Sequence, residues 1–255
     1  MKKPILLALV LAGLSIQGYG ADGNGKAVLE RLRKISEDQS KPENERQKQA
    51  QEYLRSLKKN EFLAFIREMP NTDKSHKDDS CDAVMGMGII FIKLYKNGPG
   101  KDESVMDALK QIADPTLPGA WRYVRLGDLK PLEFSDTETA AFVKTLMKCG
   151  QSKENPEIFR EYCFSELYYF ISNQRNMLIK ADPELKEALE KPGKAALPKN
   201  AGATVKQAAK LLDIIGDYNA ALQKMMAETK NERTKANLEA FQKKLESPPA
   251  KPPAP

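Results

Sequence analysis

The sequence predicts an all-α protein of stacked antiparallel helical hairpins, similar in form to an α-solenoid, with a C-terminal helical extension. Apolar residues recur every three or four positions through most of the chain, which is the period of an amphipathic helix. Helix-starting residues (Ser, Asn or Pro) precede several of these runs. Two segments, Pro118–Leu129 and Pro156–Leu167, carry Pro, an aromatic residue, Arg and an acid–Leu pair at the same offsets, 38 residues apart.

Residues 1–20 have the order of a secretory signal peptide. Two lysines are followed by about ten largely apolar residues and a short polar end, a run too short to span a membrane. Gly18 and Gly20 favour cleavage before Ala21. We therefore expect an exported protein, periplasmic or secreted, with no transmembrane segment in the mature chain.

The charge balance excludes a typical nucleic-acid-binding protein. The full chain has 41 basic and 35 acidic residues, and removal of residues 1–20 leaves 39 basic residues against 35 acidic ones. This excess is too mild for the concentrated basic face that nucleic acid requires. We expect no nucleic acid among the partners.

The first half of the chain is predicted to form helices that differ in how deeply they are buried. Before residue 102 four helices are predicted: one with Val28, Leu32 and Ile35 inward, a polar one capped by Ser40 that ends near Leu57, a short one capped by Asn60, and a buried one over 81–98.

From Asp102 onward the helices become regular. They are predicted over about 102–113, 118–129, from the Ser135–Glu138 capping box to a stop at Gly150, from an Asn155 cap to about Met177, briefly after Pro183, and within 204–245 as one helix or two. The predicted domains are a signal peptide (1–20), a helical-repeat domain (21–195), C-terminal helices (196–246) and a Pro-rich disordered tail (247–255).

The repeated segments place each Arg near the start of the second helix of a hairpin. The stretch around Asp114-Pro115 and Arg122 resembles the HEAT family of helical repeats, and Arg160 repeats the Arg after a different turn. The resemblance covers Phe62–Met177 at most. It implies a solenoid-like stack that serves as a binding scaffold. For the two arginines we favour a packing role over a ligand-binding one.

The cysteines predict packing or a disulfide, and no metal site. Cys149 and Cys163 are predicted to pair across a helical hairpin, which leaves Cys81 as a buried thiol. The loop with His76 and its acidic neighbours is interpreted as a solvated loop that caps the next helix. We expect no cofactor and no catalytic residue.

Four aromatic residues spread beyond one face of their helix: Tyr162, Phe164, Tyr168 and Tyr169. Exposed aromatic residues mark partner surfaces, so we predict a partner-binding surface here. The sequence thus favours a non-catalytic exported protein that binds another envelope or secreted protein. Two alternatives stay open: an enzyme that acts on an envelope polymer with unidentified carboxylates, such as Glu133 and Asp136, and a structural protein that self-associates through residues 204–245.

Overall fold

The computed structural model describes residues 23–69, 91–92, 94–95, 98, 104–193, 195–198 and 202–246. Across these residues the secondary structure is helical, with no strand. The all-α prediction is therefore confirmed for the described part of the chain. Residues 1–20, the loop with His76 and Cys81, and the tail 247–255 lie outside it.

Contacts divide the chain into two compact units, residues 1–129 and 130–255. The first unit holds α1 (Gly23–Glu37), α2 (Glu43–Ser56), α3 (Lys59–Glu68), α4 (Val105–Ala113) and α5 (Gly119–Gly127). The second holds α6 (Asp136–Gln151), α7 (Glu157–Ala181), α8 (Lys186–Glu190), α9 (Ala203–Glu228) and α10 (Glu232–Glu246), with short 3-10 helices at Pro131–Glu133 and Pro183–Leu185. The domain bounds predicted from the sequence stay a prediction.

Trp121 on α5 lies at the centre of the first unit's core. Its ring meets Phe62, Phe91 and Tyr95 edge-on, with centroids 5.7, 5.9 and 6.1 Å away. Such edge-to-face pairs add to the free energy gained by burying the rings. The same core includes apolar residues of α1 and α3, so the N-terminal helices and the α5 helix share one core.

The second unit is built around α7, which packs against α6, α8, α9 and α10. Helix α9 runs antiparallel to α7, because Tyr218 donates to the Phe164 carbonyl while Thr229, directly after the end of α9, donates to Glu157 at the start of α7. Helix α10 runs parallel to α7, because Thr234 contacts Glu161 and Leu245 contacts Arg175. The C-terminal stretch is therefore two helices, and both belong to the core of this unit.

The helix starts confirm one predicted cap and correct two others. Ser135 and Glu138 form the predicted capping box, with the Ser135 N–H 2.9 Å from Glu138 Oε2. Ser40 instead bonds to Asp38, and α2 begins after Pro42. Helix α3 begins one residue before Asn60, where Glu61 accepts from the Lys58 N–H at 2.9 Å.

Two residues at the α6–α7 turn have roles that differ from those predicted. Asn155 does not cap α7; its side-chain amide donates to the Cys149 carbonyl at 2.8 Å and so closes the end of α6. Gly150 does not stop α6, which continues to Gln151. A Cβ atom at Gly150 would lie 2.8 Å from the Phe164 ring, so the glycine is needed for close packing.

Candidate functional site

Helix α7 has three faces, and two of them are covered within the second unit. One face is buried in the core: Phe159, Arg160, Cys163, Phe164, Leu167, Phe170, Ile171, Arg175 and Leu178 are buried. The second face adjoins the buried one at Arg175 and meets α10 through side chains seven residues apart, at Glu161, Tyr168 and Arg175. This spacing is two turns of helix, so α10 follows α7 for three successive contacts.

The third face carries five residues that we call the α7 stripe: Glu166, Tyr169, Asn173, Met177 and Lys180. At 3.6 residues per turn these positions lie within an arc of roughly 80°. Tyr169 and Met177 are 55 % and 52 % exposed, and Asn173 and Lys180 are exposed too. Large apolar side chains with such exposure, on a helix that otherwise serves the core, mark this face as a candidate docking surface.

The two charges of the α7 stripe lie at its ends. Glu166 is half-buried, and burial raises the pKa of its carboxyl above the ordinary value. Within the described parts of the chain, neither Glu166 nor Lys180 forms a side-chain hydrogen bond or an ion pair. A partly desolvated carboxylate without a partner is destabilised relative to one that meets a cation or a donor. The surface is therefore suited to a partner that brings a positive charge to Glu166.

The structure leaves only part of the predicted aromatic surface exposed. Phe164 is fully buried against Tyr218, with ring centroids 5.8 Å apart, and it is not a surface residue. Tyr168 stacks on Phe241 of α10 at 5.3 Å and is half-buried, as is Tyr162. Of the four predicted residues only Tyr169 is exposed. The reason is the C-terminal helix pair, which covers the side of α7 that carries Tyr168 and Phe164.

Cys149 and Cys163 are both buried in this structure. Cys149 lies near the end of α6 and Cys163 on the core face of α7. The disulfide predicted between them stays a prediction, which a titration of thiols in the denatured, unreduced protein would check.

The repeated arginines have the structural role that the sequence favoured. Arg122 and Arg160 are 2 % and 5 % exposed. Each donates its Nε–H to the carbonyl ten residues earlier, at the end of the preceding helix: Arg122 to Ile112 at 2.7 Å and Arg160 to Gly150 at 2.8 Å. Arg160 also pairs with Glu228 at 3.2 Å. These bonds connect the second helix of each hairpin to the end of the first.

The other candidates for chemistry remain without a site. Glu133 and Asp136 are exposed, and their nearest cations are Lys130 at 3.5 Å and Lys210 at 3.1 Å. That geometry desolvates neither carboxyl. In the part of the chain that the structure describes, no group of three or more His, Cys, Asp or Glu side chains could hold a metal ion.

Sequence reasoning missed most of the α7 stripe. It singled out Tyr169 for its aromatic ring and passed over Glu166, Asn173, Met177 and Lys180. Together with Tyr169 these residues follow one another at spacings of three, four, four and three, which places all five on one face of a helix. This spacing was a usable signal in the sequence. The missing information was which face of α7 the C-terminal helices would cover.

Comparisons with known proteins give no family for this chain: no family model matches it, and no curated protein or solved structure matches it. None of the helices in the described residues is both long enough and apolar enough to cross a membrane. The functional assignment therefore depends on the residues and their geometry.

Proposed function

We propose that this is an exported, non-catalytic protein that binds another envelope or secreted protein, and that its hairpins form a HEAT-like scaffold for that purpose. The observation that carries the proposal is the α7 stripe, an exposed face with Tyr169 and Met177 on the helix at the centre of the second unit. Tyr and Met are enriched in the cores of protein interfaces, where charged residues are depleted.

The other polar groups of the second unit support binding over catalysis. Arg160 and Arg175 donate to backbone carbonyls of the protein itself, so they serve its packing. The exposed carboxylates Glu133 and Asp136 face lysines at the surface. Export is supported by the signal-peptide pattern of residues 1–20, and the scaffold by the Arg-to-carbonyl bond that both hairpins share.

The test is site-specific crosslinking in the native host. A photo-crosslinking amino acid replaces Tyr169 in the full chain, and crosslinked proteins are identified by mass spectrometry. We expect one stoichiometric exported partner, which is then purified and titrated against the wild-type chain and against Tyr169→Ser/Met177→Ser. The double variant should weaken binding at least tenfold.

A matched variant keeps this test specific. Met106→Ser/Tyr123→Ser removes the same two residue types from the first unit, where they are 42 % and 36 % exposed. It should bind the partner as the wild type does. Equal binding by both double variants, or no crosslink from position 169 to any other protein, would refute the proposed function at this surface.

A further inference from the structure

The α7 stripe is symmetric about its middle residue. Asn173 lies at the centre, Tyr169 and Met177 lie four residues to either side, and Glu166 and Lys180 lie seven residues to either side. The outermost pair has opposite charges, and the inner pair joins an aromatic ring to a thioether. This order follows from the positions of the five residues along a single helix.

This order is compatible with a two-fold axis at Asn173. When a helix packs antiparallel to a copy of itself, residue i meets residue j of the partner and residue j meets residue i. Glu166 would then face Lys180 of the second copy, twice, and Tyr169 would face Met177, twice. Parallel packing would instead set Glu166 against Glu166 and Lys180 against Lys180, which repel.

We propose that two copies of this chain pair through their α7 stripes, antiparallel, with the two-fold axis at Asn173. This inference rests on the proposed function in one respect, the use of the α7 stripe as a docking surface, and it adds a second copy of the chain as an occupant that competes with the exported partner for that surface.

Three features of the stripe support this pairing over a general apolar patch. Glu166 and Lys180 have no ion pair or side-chain hydrogen bond among the described residues, and the antiparallel pair supplies each with the other. A Met sulfur against an aromatic ring is a favourable contact. An Asn at the middle of a helical seam fixes register at a cost in stability, which suits Asn173 against its own copy.

The stripe is short, so the dimer is weak. The fifteen residues from Glu166 to Lys180 extend only about 21 Å along the helix. An interface of this length lies at the low end of specific interfaces, and we expect a weak dimer with a dissociation constant in the micromolar range. The dimer therefore forms at high local concentration and dissociates on dilution.

Sedimentation equilibrium of the mature chain from about 1 to 500 µM tests the proposal, with a monomer–dimer equilibrium as the expected result. Glu166→Lys and Lys180→Glu each bring like charges together and should weaken the dimer at least tenfold. The charge-swapped double variant, Glu166→Lys/Lys180→Glu, should restore it. Controls of equal charge change on other helices, Glu239→Lys and Lys224→Glu, should leave it unchanged.

Orientation is tested separately by oxidation of engineered thiols. Asn173→Cys faces its own copy at the axis and should crosslink to a dimer under mild oxidation, whereas Glu166→Cys should not. Dimers from Glu166→Cys would indicate parallel packing and would overturn the proposal. Circular dichroism of each variant confirms that it is folded.

The outcomes separate this inference from the proposed function. A chain that is monomeric at all concentrations, or a charge swap that fails to restore the dimer, overturns the pairing. If such a chain still crosslinks from position 169 to another exported protein, the proposed function stands alone. A dimer with full charge-swap rescue but no crosslink to another protein supports the pairing and refutes heterologous binding at the stripe.

Discussion

The hairpins α4–α5 and α6–α7 belong to different units, but the turns between their helices have the same backbone conformation. The residue after the first helix has φ −78° and ψ 107° at Asp114, and φ −73° and ψ 119° at Ser152. The proline before the second helix has φ −54° in both, with ψ 139° at Pro118 and 143° at Pro156. The helix bounds on either side of the turn also keep the offset of 38 residues.

The side chains around this shared turn are different. Where α4–α5 has Ile112 and Leu126, the matching positions of α6–α7 are Gly150 and Phe164. Ile112 and Leu126 both have side chains of medium size, whereas Gly150 has no side chain and Phe164 has a large ring. The proline and the arginine, which act on the backbone, recur in both hairpins together with an aromatic residue and an acid–Leu pair, whereas the residues at these two packing positions differ.

The largest expected effect comes from removing the shared arginine. Arg122→Met and Arg160→Met keep an apolar stem and remove the donor to a buried carbonyl, so each should lower the free energy of unfolding by about 2–3 kcal/mol. Arg160→Met also removes the pair with Glu228, which Lys153 still contacts at 3.3 Å.

Urea unfolding measures both variants. Trp121 is the only Trp in the chain and is buried in the first unit, so its fluorescence follows that unit, and far-ultraviolet circular dichroism follows all helices. The Trp121 transition reports Arg122→Met, and circular dichroism reports Arg160→Met. Arg33→Met, at an exposed surface ion pair with Glu37, is the control and should leave the Trp121 transition unchanged. Arginine variants as stable as this control would show that the shared bond does not hold the hairpins.

A smaller effect is expected from Gly150→Ala, which makes the second hairpin more like the first. The added methyl would lie 2.8 Å from the Phe164 ring, and this overpacking should cost about 1–3 kcal/mol. Phe164→Leu, the residue at the matching position of α5, should relieve the clash. The double variant is then more stable than the sum of the single changes predicts, by about 1 kcal/mol or more.

Gly216→Ala on α9 is the matched control, because a Cβ atom there meets nothing within 4 Å. This change should stabilise the helix by about 0.5–1 kcal/mol, the usual gain from Gly to Ala in a helix interior. A Gly150→Ala variant that gained stability in the same way would contradict the packing role of Gly150.

The helices and the two hairpins could be predicted from the sequence because their signals are local. Ser135 with Glu138 and the periodic apolar residues act within a few turns of helix. The errors concern residues whose partners are distant or unexpected. Asn155 was assigned to its own helix and bonds to the end of the preceding one, and Phe164 was assigned to the surface and is covered by α9, 54 residues later at Tyr218.

The candidate site could be predicted only in part for the same reason. The aromatic content of α7 identified the correct helix, but exposure depends on where α9 and α10 pack. Tyr168 and Tyr169 are adjacent in sequence, and only the structure separates the one stacked on Phe241 from the one that faces solvent. Burial by a distant element leaves no pattern in the local sequence.

The smallest expected effect concerns pH, and it distinguishes the two turns. Asp114 accepts hydrogen bonds from Thr116 at 2.6 Å and Arg67 at 2.8 Å, whereas the matching residue of the second turn, Ser152, has no charge. Burial by itself raises the pKa of Asp114, but the bonds from Thr116 and Arg67 outweigh it and hold the pKa below its ordinary value.

Because the folded-state pKa of Asp114 is lowered, its contribution to stability is present above the unfolded pKa of about 3.9 and is lost as the pH falls through the folded value. Asp114→Ser should therefore reduce the stability of the first unit by about 1 kcal/mol at pH 6, a modest value because the pair with Arg67 is partly exposed. The difference from the wild type should shrink below about pH 4.

The Trp121 transition in urea, measured from pH 6 to 2.5, gives this difference directly. Glu52→Gln, at a carboxylate of the first unit that is 60 % exposed, is the control and should track the wild type at every pH. A stability difference for Asp114→Ser that stays constant over this range would assign the loss to turn geometry, since only an ionised carboxylate makes the effect disappear in acid. In that case the aspartate and the serine would differ in shape alone, and the two turns would be electrostatically equivalent.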